Sequence, residues 1–156
     1  MSRKKKITNK ILKADPIYNS ILINMIINKI LLNGKKNIAQ KILYQALKNI
    51  KESTNLDPIE IVKKAIKNTT PMIELKSRRI GGATYQVPIE IKQGRGTSLA
   101  VKLIINSARN RPGKNIITKI ENELLDAYNN MGNSVKKKEE IHKIADSNKA
   151  FANMKF

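Results

Sequence analysis

The chain has 156 residues, which suits one domain with a substantial hydrophobic core and leaves little room for two. Its 31 Lys and Arg residues against 12 Asp and Glu residues give a net charge of +19, so a polyanion such as a nucleic acid is the expected partner. The lack of cysteine excludes disulfides and thiolate zinc sites, and no segment has the pattern of a secretory signal or a membrane span.

A first helix is predicted to begin at Asp15 and Pro16, because an N-cap residue followed by proline is typical of a helix start. It should end near Gly34, which suits a left-handed C-cap. Polar residues recur at every fourth position from Ser20 to Asn28 and leave the rest of the helix surface apolar. The pattern predicts a central core helix.

Two amphipathic helices should follow. One covers residues 35–52, and its predicted inward face consists of Ile38, Ala39, Ile42, Leu43, Ala46 and Ile50. The other starts at Asp57 and Pro58, with Glu60 completing a capping box, and ends before Pro71. Its predicted inward residues are Ile59, Val62, Ala65 and Ile66.

Between residues 72 and 91 the apolar period changes from 3.6 to 2. The runs "MIELKSRRI" and "TYQVPIEI" flank Gly81 and Gly82, which is a strong signal for a β-hairpin. Pro88 has no N–H group for a second ladder of hydrogen bonds. The segment is therefore predicted to be a two-stranded ribbon and not the interior of a sheet.

Three more helices are predicted after the ribbon. The segment "KQGRGTS" should be a flexible, basic connector, followed by a fourth helix over residues 98–110 that ends before a Pro-Gly pair. A fifth helix covers 115–131, and a sixth begins at Ser134. The predicted fold is mainly α: a single bundle-like domain of six helices over residues 15–156, with a protruding two-stranded β-hairpin between helices three and four.

Most of the few carboxylates are interpreted as structural. Asp15, Asp57, Glu60, Glu121 and Glu123 lie near predicted helix starts, where capping and the helix dipole favour negative charge. No Asp or Glu occurs between Pro16 and Lys51 or between Glu90 and Glu121. The excess of positive charge is therefore interpreted as the functional surface.

The basic residues form clusters on different elements, which a merely solvated surface explains poorly at this net charge. The predicted nucleic-acid contacts are Arg3, Lys4, Lys5, Lys6 and Lys10 in a basic arm over residues 1–14, Lys35, Lys36, Lys76, Arg78, Arg79, Arg95, Arg109, Arg111 and Lys114. Arg78 and Arg79 beside Tyr85 offer planar groups for stacking on exposed bases. A further cluster consists of Lys136, Lys137, Lys138, His142 and Lys143.

No motif for catalysis is present. The "GKK" at residues 34–36 lacks the second glycine and the Ser or Thr of a phosphate-binding loop. His142 is the only histidine and lies among lysines, without a nucleophile beside it. The chain is therefore predicted not to be an enzyme and to use no cofactor or metal.

Three stretches carry a resemblance to a known family: "DPIYNSILINMIINKILLNGKKNIAQKILYQAL", "KSRRIGGATYQVPIEI" and "GNSVKKKEEIHKIADSNKAFA". Over essentially its whole length, the chain resembles the universal small-subunit ribosomal protein seven family in its bacterial or chloroplast form. The resemblance implies a structural protein that binds the 3′ major domain of small-subunit rRNA and nucleates assembly of the subunit head. It also implies a place near exit-site tRNA, mRNA and ribosomal protein eleven.

The same resemblance assigns residues to these partners. The basic arm, Lys35, Lys36 and the hairpin cations Lys76, Arg78 and Arg79 match rRNA-facing motifs. Gly81, Gly82 and Tyr85 match the ribbon tip, which together with the terminal helix lies in the exit-site neighbourhood. The residues that match this helix are Lys136, Lys137, Lys138, His142 and Lys143.

Two other classes of protein fit the charge. An architectural DNA-binding protein with a basic β-arm is the main alternative, although such arms favour an apolar wedge at the tip and this tip is Gly-Gly. A protein bound to an anionic membrane surface would need a helix with a basic face and exposed aromatics, which is missing. Abundant Ile, Lys and Asn indicate an AT-rich genome and favour a plastid-encoded protein of the chloroplast ribosome; the cytoplasm of an AT-rich bacterium is the alternative.

Overall fold

The computed structural model describes residues 12–80 and 82–150. Within them lie six helices and one hairpin: α1 Ile21–Ile30, α2 Lys36–Thr54, α3 Pro58–Thr69, β1 Ile73–Ile80, β2 Ala83–Glu90, α4 Gln93–Asn110, α5 Ile116–Tyr128 and α6 Asn133–Ser147. The predicted mainly α fold, with a two-stranded hairpin between helices three and four, is confirmed.

The centre of the bundle is α5, which packs against α2, α3, α4 and α6. Its residues Ile120, Leu124 and Ala127 are fully buried in the main hydrophobic core. The sequence placed the first helix at the centre, and this prediction is wrong. Helix α1 packs against α2 and α4 and buries one stripe of isoleucines, but Ile21 at its start is 52% exposed.

Helix α1 also begins later than predicted. Asp15 starts a single turn, in which its Oδ2 accepts hydrogen bonds from the N–H groups of Ile17 and Tyr18, both at 3.2 Å. Asn19 then adopts a left-handed conformation with φ of +46°, and the helix starts at Ile21. The aspartate-proline signal therefore marks a capped turn and not the helix itself.

Asp15 nevertheless has the structural role predicted for it. The carboxylate is buried, and its Oδ1 accepts a hydrogen bond of 2.7 Å from the hydroxyl of Tyr44 on α2. Burial raises the pKa of Tyr44, and the hydrogen bond to Asp15 adds to the effect, so that the pKa reaches about 12. The bond attaches the segment before α1 to the body.

Helices α2 and α3 agree closely with the predicted spans, but each inward face loses one predicted residue and gains another. Ile38 is 53% exposed, whereas Leu47 is fully buried and completes the face of α2. On α3 the fully buried residue is Ile61, and Ile59 is half-buried. The predicted N-cap is present, because Asp57 Oδ1 accepts a hydrogen bond of 3.1 Å from the N–H of Ile59. Among the described residues, however, the side chain of Glu60 makes no hydrogen bond to Asp57 that would complete the predicted capping box.

The two strands form an antiparallel ribbon. Pairing extends from Ile73 opposite Glu90 to Ile80 opposite Ala83, which leaves a two-residue loop at the tip. Among the described residues no third strand joins them, as the proline within β2 predicts. Gly82 has a φ of +92°, a conformation that favours glycine, so the tip requires this residue type.

The segment predicted to be a flexible connector is helical, because α4 already begins at Gln93. A Cβ atom on Gly96 would lie 3.0 Å from Cγ2 of Thr70, so the missing side chain lets α4 pack against the end of α3. In the same turn Arg95 donates two hydrogen bonds to Glu74 of β1, at 2.8 and 3.2 Å. The segment therefore attaches the ribbon to the body and does not serve as a hinge.

Candidate nucleic-acid interface

Two long segments without any Asp or Glu, residues 16–51 and 91–120, come together in the fold. The first contains α1 and most of α2, the second contains α4 and the start of α5, and α1 packs against both α2 and α4. Because neither segment contributes a carboxylate, their exposed lysines keep a positive potential that attracts polyanions. We call the edge of the bundle formed by four of these lysines the acid-free face: Lys29, Lys35, Lys36 and Lys114.

Arg109 joins the elements of this face. Its Nη2 donates hydrogen bonds of 3.1 Å to the main-chain carbonyls of Lys29 and Ile30, which end α1. A guanidinium at the negative end of a helix dipole is favourable. The contact attaches the end of α4 to the end of α1, and so brings residues 31–36 and 111–115 to the same edge of the bundle.

Lys35 and Lys36 lie on a tight turn that leads into α2. Asn33 and Gly34 have φ values of +50° and +75°, so Gly34 belongs to this turn and not to the end of α1, which stops at Ile30. Both lysines are exposed, and the first turn of α2 contains no acid. Cations at the positive end of a helix dipole repel it, and a bound phosphate would relieve this repulsion.

Arg111, another predicted contact, is mostly buried in an ion-pair network. Its Nε donates a hydrogen bond of 2.6 Å to Glu123, and its Nη2 bonds to Asp126. Burial opposes the charge of Arg111, but the hydrogen bonds to Asp126 and Glu123 outweigh it and raise the pKa. Glu123 is fully buried and also accepts a bond of 2.9 Å from the N–H of Ser134 at the start of α6. Arg111 therefore joins the end of α4 to α5, and Glu123 connects this pair to the start of α6.

The two hairpin arginines lie on opposite faces of the ribbon. Arg78 pairs with Tyr85, and Arg79 pairs with Thr84. Directly paired residues share a face and successive residues alternate, so Lys76, Arg78 and Tyr85 share one face while Arg79 projects from the other. All three cations are exposed, and neither guanidinium has an ion pair or hydrogen bond within the described part of the chain. The ribbon therefore presents positive charge to both sides.

Arg95 is paired with a carboxylate and also exposed to solvent. Its two hydrogen bonds to Glu74 lower the pKa of that carboxyl group and raise the pKa of Arg95. The Arg95 side chain is still 57% exposed. It can therefore fix the base of the ribbon while part of its guanidinium remains open to solvent.

Two residues of the α6 cluster are used to attach that helix. Lys138 Nζ donates a hydrogen bond of 2.6 Å to the carbonyl of Asn68 at the end of α3. His142 Nε2 accepts one of 3.2 Å from the N–H of Met72, just before β1. The other cations of this cluster are Lys136 and Lys143, which are exposed, and Lys137, which is half-buried.

The remaining predicted residues divide into two groups. Gly82 is exposed at the ribbon tip and Tyr85 is half-buried. Those that lie outside the described residues are Arg3, Lys4, Lys5, Lys6, Lys10 and Gly81. The described residues contain no cluster of side chains suited to hold a metal ion.

Lys29 is the member of the acid-free face that the sequence did not indicate. It is an isolated cation in the sequence, so a search for runs of basic residues passes over it. Its position in the last turn of a helix without a single acid was the available signal.

The sequence profile of the family described as ribosomal protein S7p/S5e matches residues 2–149. The chain belongs to this family. It is 58% identical to small ribosomal subunit protein uS7c of Euglena gracilis and 48% identical to uS7 of Gloeothece citriformis, with full coverage of both chains in each comparison. It is also 48% identical to uS7c of Nephroselmis olivacea over 155 residues, 99% of each chain.

The chain is therefore a ribosomal protein of the small subunit and not an enzyme, as its sequence predicted. The uS7c relatives from Euglena gracilis, Nephroselmis olivacea and Tupiella akineta support a plastid ribosome as its location. The architectural DNA-binding alternative is set aside, because the family match covers nearly the whole chain. None of the helices in the described residues has both the length and the hydrophobicity that a membrane span requires.

Proposed function

We propose that this ribosomal protein binds the 3′ major domain of small-subunit rRNA and nucleates assembly of the subunit head. The acid-free face carries the proposal, because the fold packs two segments without carboxylates against each other and exposes four lysines along one edge. Each lysine that meets a phosphate releases a counterion, which gives tight and salt-dependent binding. In this proposal the basic arm over residues 1–14 extends the same contact.

The ribbon and α6 are proposed to lie near exit-site tRNA and mRNA, beside ribosomal protein eleven. Hydrogen bonds from Arg95 to Glu74 and from Met72 to His142 attach the base of the ribbon to α4 and α6. These bonds favour a ribbon that projects in one fixed direction. Exposed Arg78 and Arg79 can then bind RNA on either side, while the glycine tip adds no bulk against a neighbour.

The test is binding of the full chain to an rRNA fragment that contains the head domain, measured over a series of salt concentrations. We compare Lys35→Gln/Lys36→Gln with the control Lys63→Gln/Lys149→Gln, which removes two exposed charges outside the acid-free face. Log K falls as log salt rises, and the loss of two duplex phosphate contacts should make this fall shallower by about 1.8 in slope. The control should change the slope little.

Two outcomes would contradict the proposal. One is an equal change of slope in the variant and in its control, because the acid-free face would then have no special role. The other is equal affinity for the rRNA fragment and for random duplex DNA. Chemical footprinting of the fragment should show protection that the wild-type chain produces and the double variant weakens.

A further inference from the structure

A second basic surface lies where α3, the end of α5 and α6 meet below the ribbon. These elements line an open cleft of about 650 Å³, a size typical of ligand sites. Three lysines contribute to it, and the residues that matter here are Lys64, Lys67, Lys138, Tyr128, Asn130 and His142. No Asp or Glu belongs to the described lining, so the cleft has cations without an internal counter-charge.

Two of the three ammonium groups are already held in place. Lys64 Nζ lies 4.0 Å from the centre of the Tyr128 ring, a favourable cation–π contact. Lys138 Nζ is fixed by its hydrogen bond to the carbonyl of Asn68. Lys67 is exposed and lies three residues after Lys64, so the two project from the same side of α3. Side chains ordered in advance lose less entropy when an anion binds.

The cleft is separate from the acid-free face. Helix α5 begins at Ile116, just after Lys114 of that face, and ends at Tyr128 in the wall of the cleft. A helix of 13 residues rises roughly 20 Å, at about 1.5 Å per residue. An RNA segment bound at one end of α5 therefore leaves the other end accessible to a second anion.

We infer that the cleft binds a single-stranded RNA segment through its phosphates, separately from the RNA held by the acid-free face. Lysines bind phosphates as point charges, and neutral groups such as the amide of Asn130 can reach ribose or base edges. An acidic peptide would also need apolar anchors, and Met72 is the main exposed apolar side chain in the described lining. The inference rests on the proposed place of α6 near RNA, because Lys138 and His142 belong to that helix, and it adds a binding site that requires neither the acid-free face nor the ribbon tip.

The experiment uses the full chain saturated with the head rRNA fragment and a fluorescent oligouridine as the probe. Lys64→Gln/Lys67→Gln is compared with Lys63→Gln/Lys149→Gln, which removes the same charge outside the cleft. Lys138 is kept because it fixes the end of α3. Loss of two single-strand phosphate contacts should make the salt dependence of oligouridine binding shallower by about 1.4 in slope. It should also weaken binding on the order of tenfold.

Affinity for the head rRNA fragment should stay unchanged in the Lys64→Gln/Lys67→Gln variant. An equal loss of oligouridine binding in the control variant would overturn the inference, as would stronger binding of polyglutamate than of oligouridine. The free chain is titrated with oligouridine in parallel. Failure of the proposed function would appear as absent binding of the rRNA fragment, whereas failure of this inference would appear only in the comparison of the two variants.

Discussion

The arginines of the helical body and those of the ribbon share a residue type and differ in their surroundings. Arg109 donates hydrogen bonds to the carbonyls that end α1, and Arg111 donates one to Glu123. Both guanidinium groups therefore bind partners within the protein. Arg78 and Arg79 project from opposite faces of the ribbon, and neither has a partner in the described part of the chain. The body arginines hold helices together, while the ribbon arginines remain available to an external anion.

This difference shows what a basic cluster in a sequence can mean. The pair Arg109 and Arg111 lies in a stretch without acids and was predicted to contact nucleic acid. Glu123 comes 12 residues after Arg111 and meets it only because the chain reverses between α4 and α5. Local charge therefore indicates a binding surface only where the fold brings no carboxylate or helix end to the same place.

The largest effect is expected for Arg111→Met. The substitution leaves the carboxylate of Glu123 buried without its cation, which costs about 3–5 kcal/mol in the free energy of unfolding. Urea denaturation measures this loss, with Lys114→Met, an exposed lysine three residues later, as the control. Adding Glu123→Gln to Arg111→Met should restore part of the stability, and no restoration would mean that the buried charge is not the cause.

A smaller loss is expected for Arg109→Met. Two hydrogen bonds from a charged donor to the end of α1 disappear, at a cost of about 1.5 kcal/mol in the free energy of unfolding. Thermal or urea unfolding measures the loss, and Arg109→Lys should recover part of it by keeping a cation at the helix end. If the free energy of unfolding were unchanged, Arg109 would have no role in stability and would resemble the ribbon arginines.

The ribbon arginines should show the opposite behaviour. Arg78→Gln/Arg79→Gln should leave the free energy of unfolding within about 0.5 kcal/mol of the wild type, because neither side chain forms a hydrogen bond or ion pair within the described residues. Binding to head rRNA should weaken, with a salt slope lower by about 1 for each phosphate contact. The single variants show whether the RNA meets one face of the ribbon or both, and a large loss of stability would remove the contrast with the body.

The smallest effect is expected for Arg95→Gln. The Arg95 hydrogen bonds lower the pKa of Glu74, so their contribution to stability exists above the ordinary carboxyl pKa and is lost as the pH falls through the lowered value. In the variant the pKa of Glu74 should rise, and this acid-side loss should shrink. NMR titration of the Glu74 carboxyl group measures the shift. Lys102→Gln is the control, because the loss of the Lys102 charge should raise the pKa of Glu74 less than the loss of Arg95 does. An unchanged Glu74 pKa would show that the pair does not hold the ribbon base.

Local signals predicted much of the fold correctly. The Gly-Gly tip and the change of period specified the hairpin, and Asp57 before Pro58 specified the start of α3. The start of α4 was predicted wrongly, because Gly94 and Gly96 suggest flexibility when only the sequence is considered. A Cβ atom on Gly96 would press tightly against Thr70, a residue 26 positions earlier, and no local rule contains that information.

The sequence by itself determined the class of this protein, because a net charge of +19, long segments without acids and a basic hairpin are properties of composition and local pattern. It also determined the number and order of the helices, the ribbon and the family. Only the tertiary structure decided which cations are available, because Glu74, Glu123 and the carbonyls that end α1 meet their arginines through packing. The energy of an ion pair depends on distance and burial, and packing brings together groups that lie far apart along the chain.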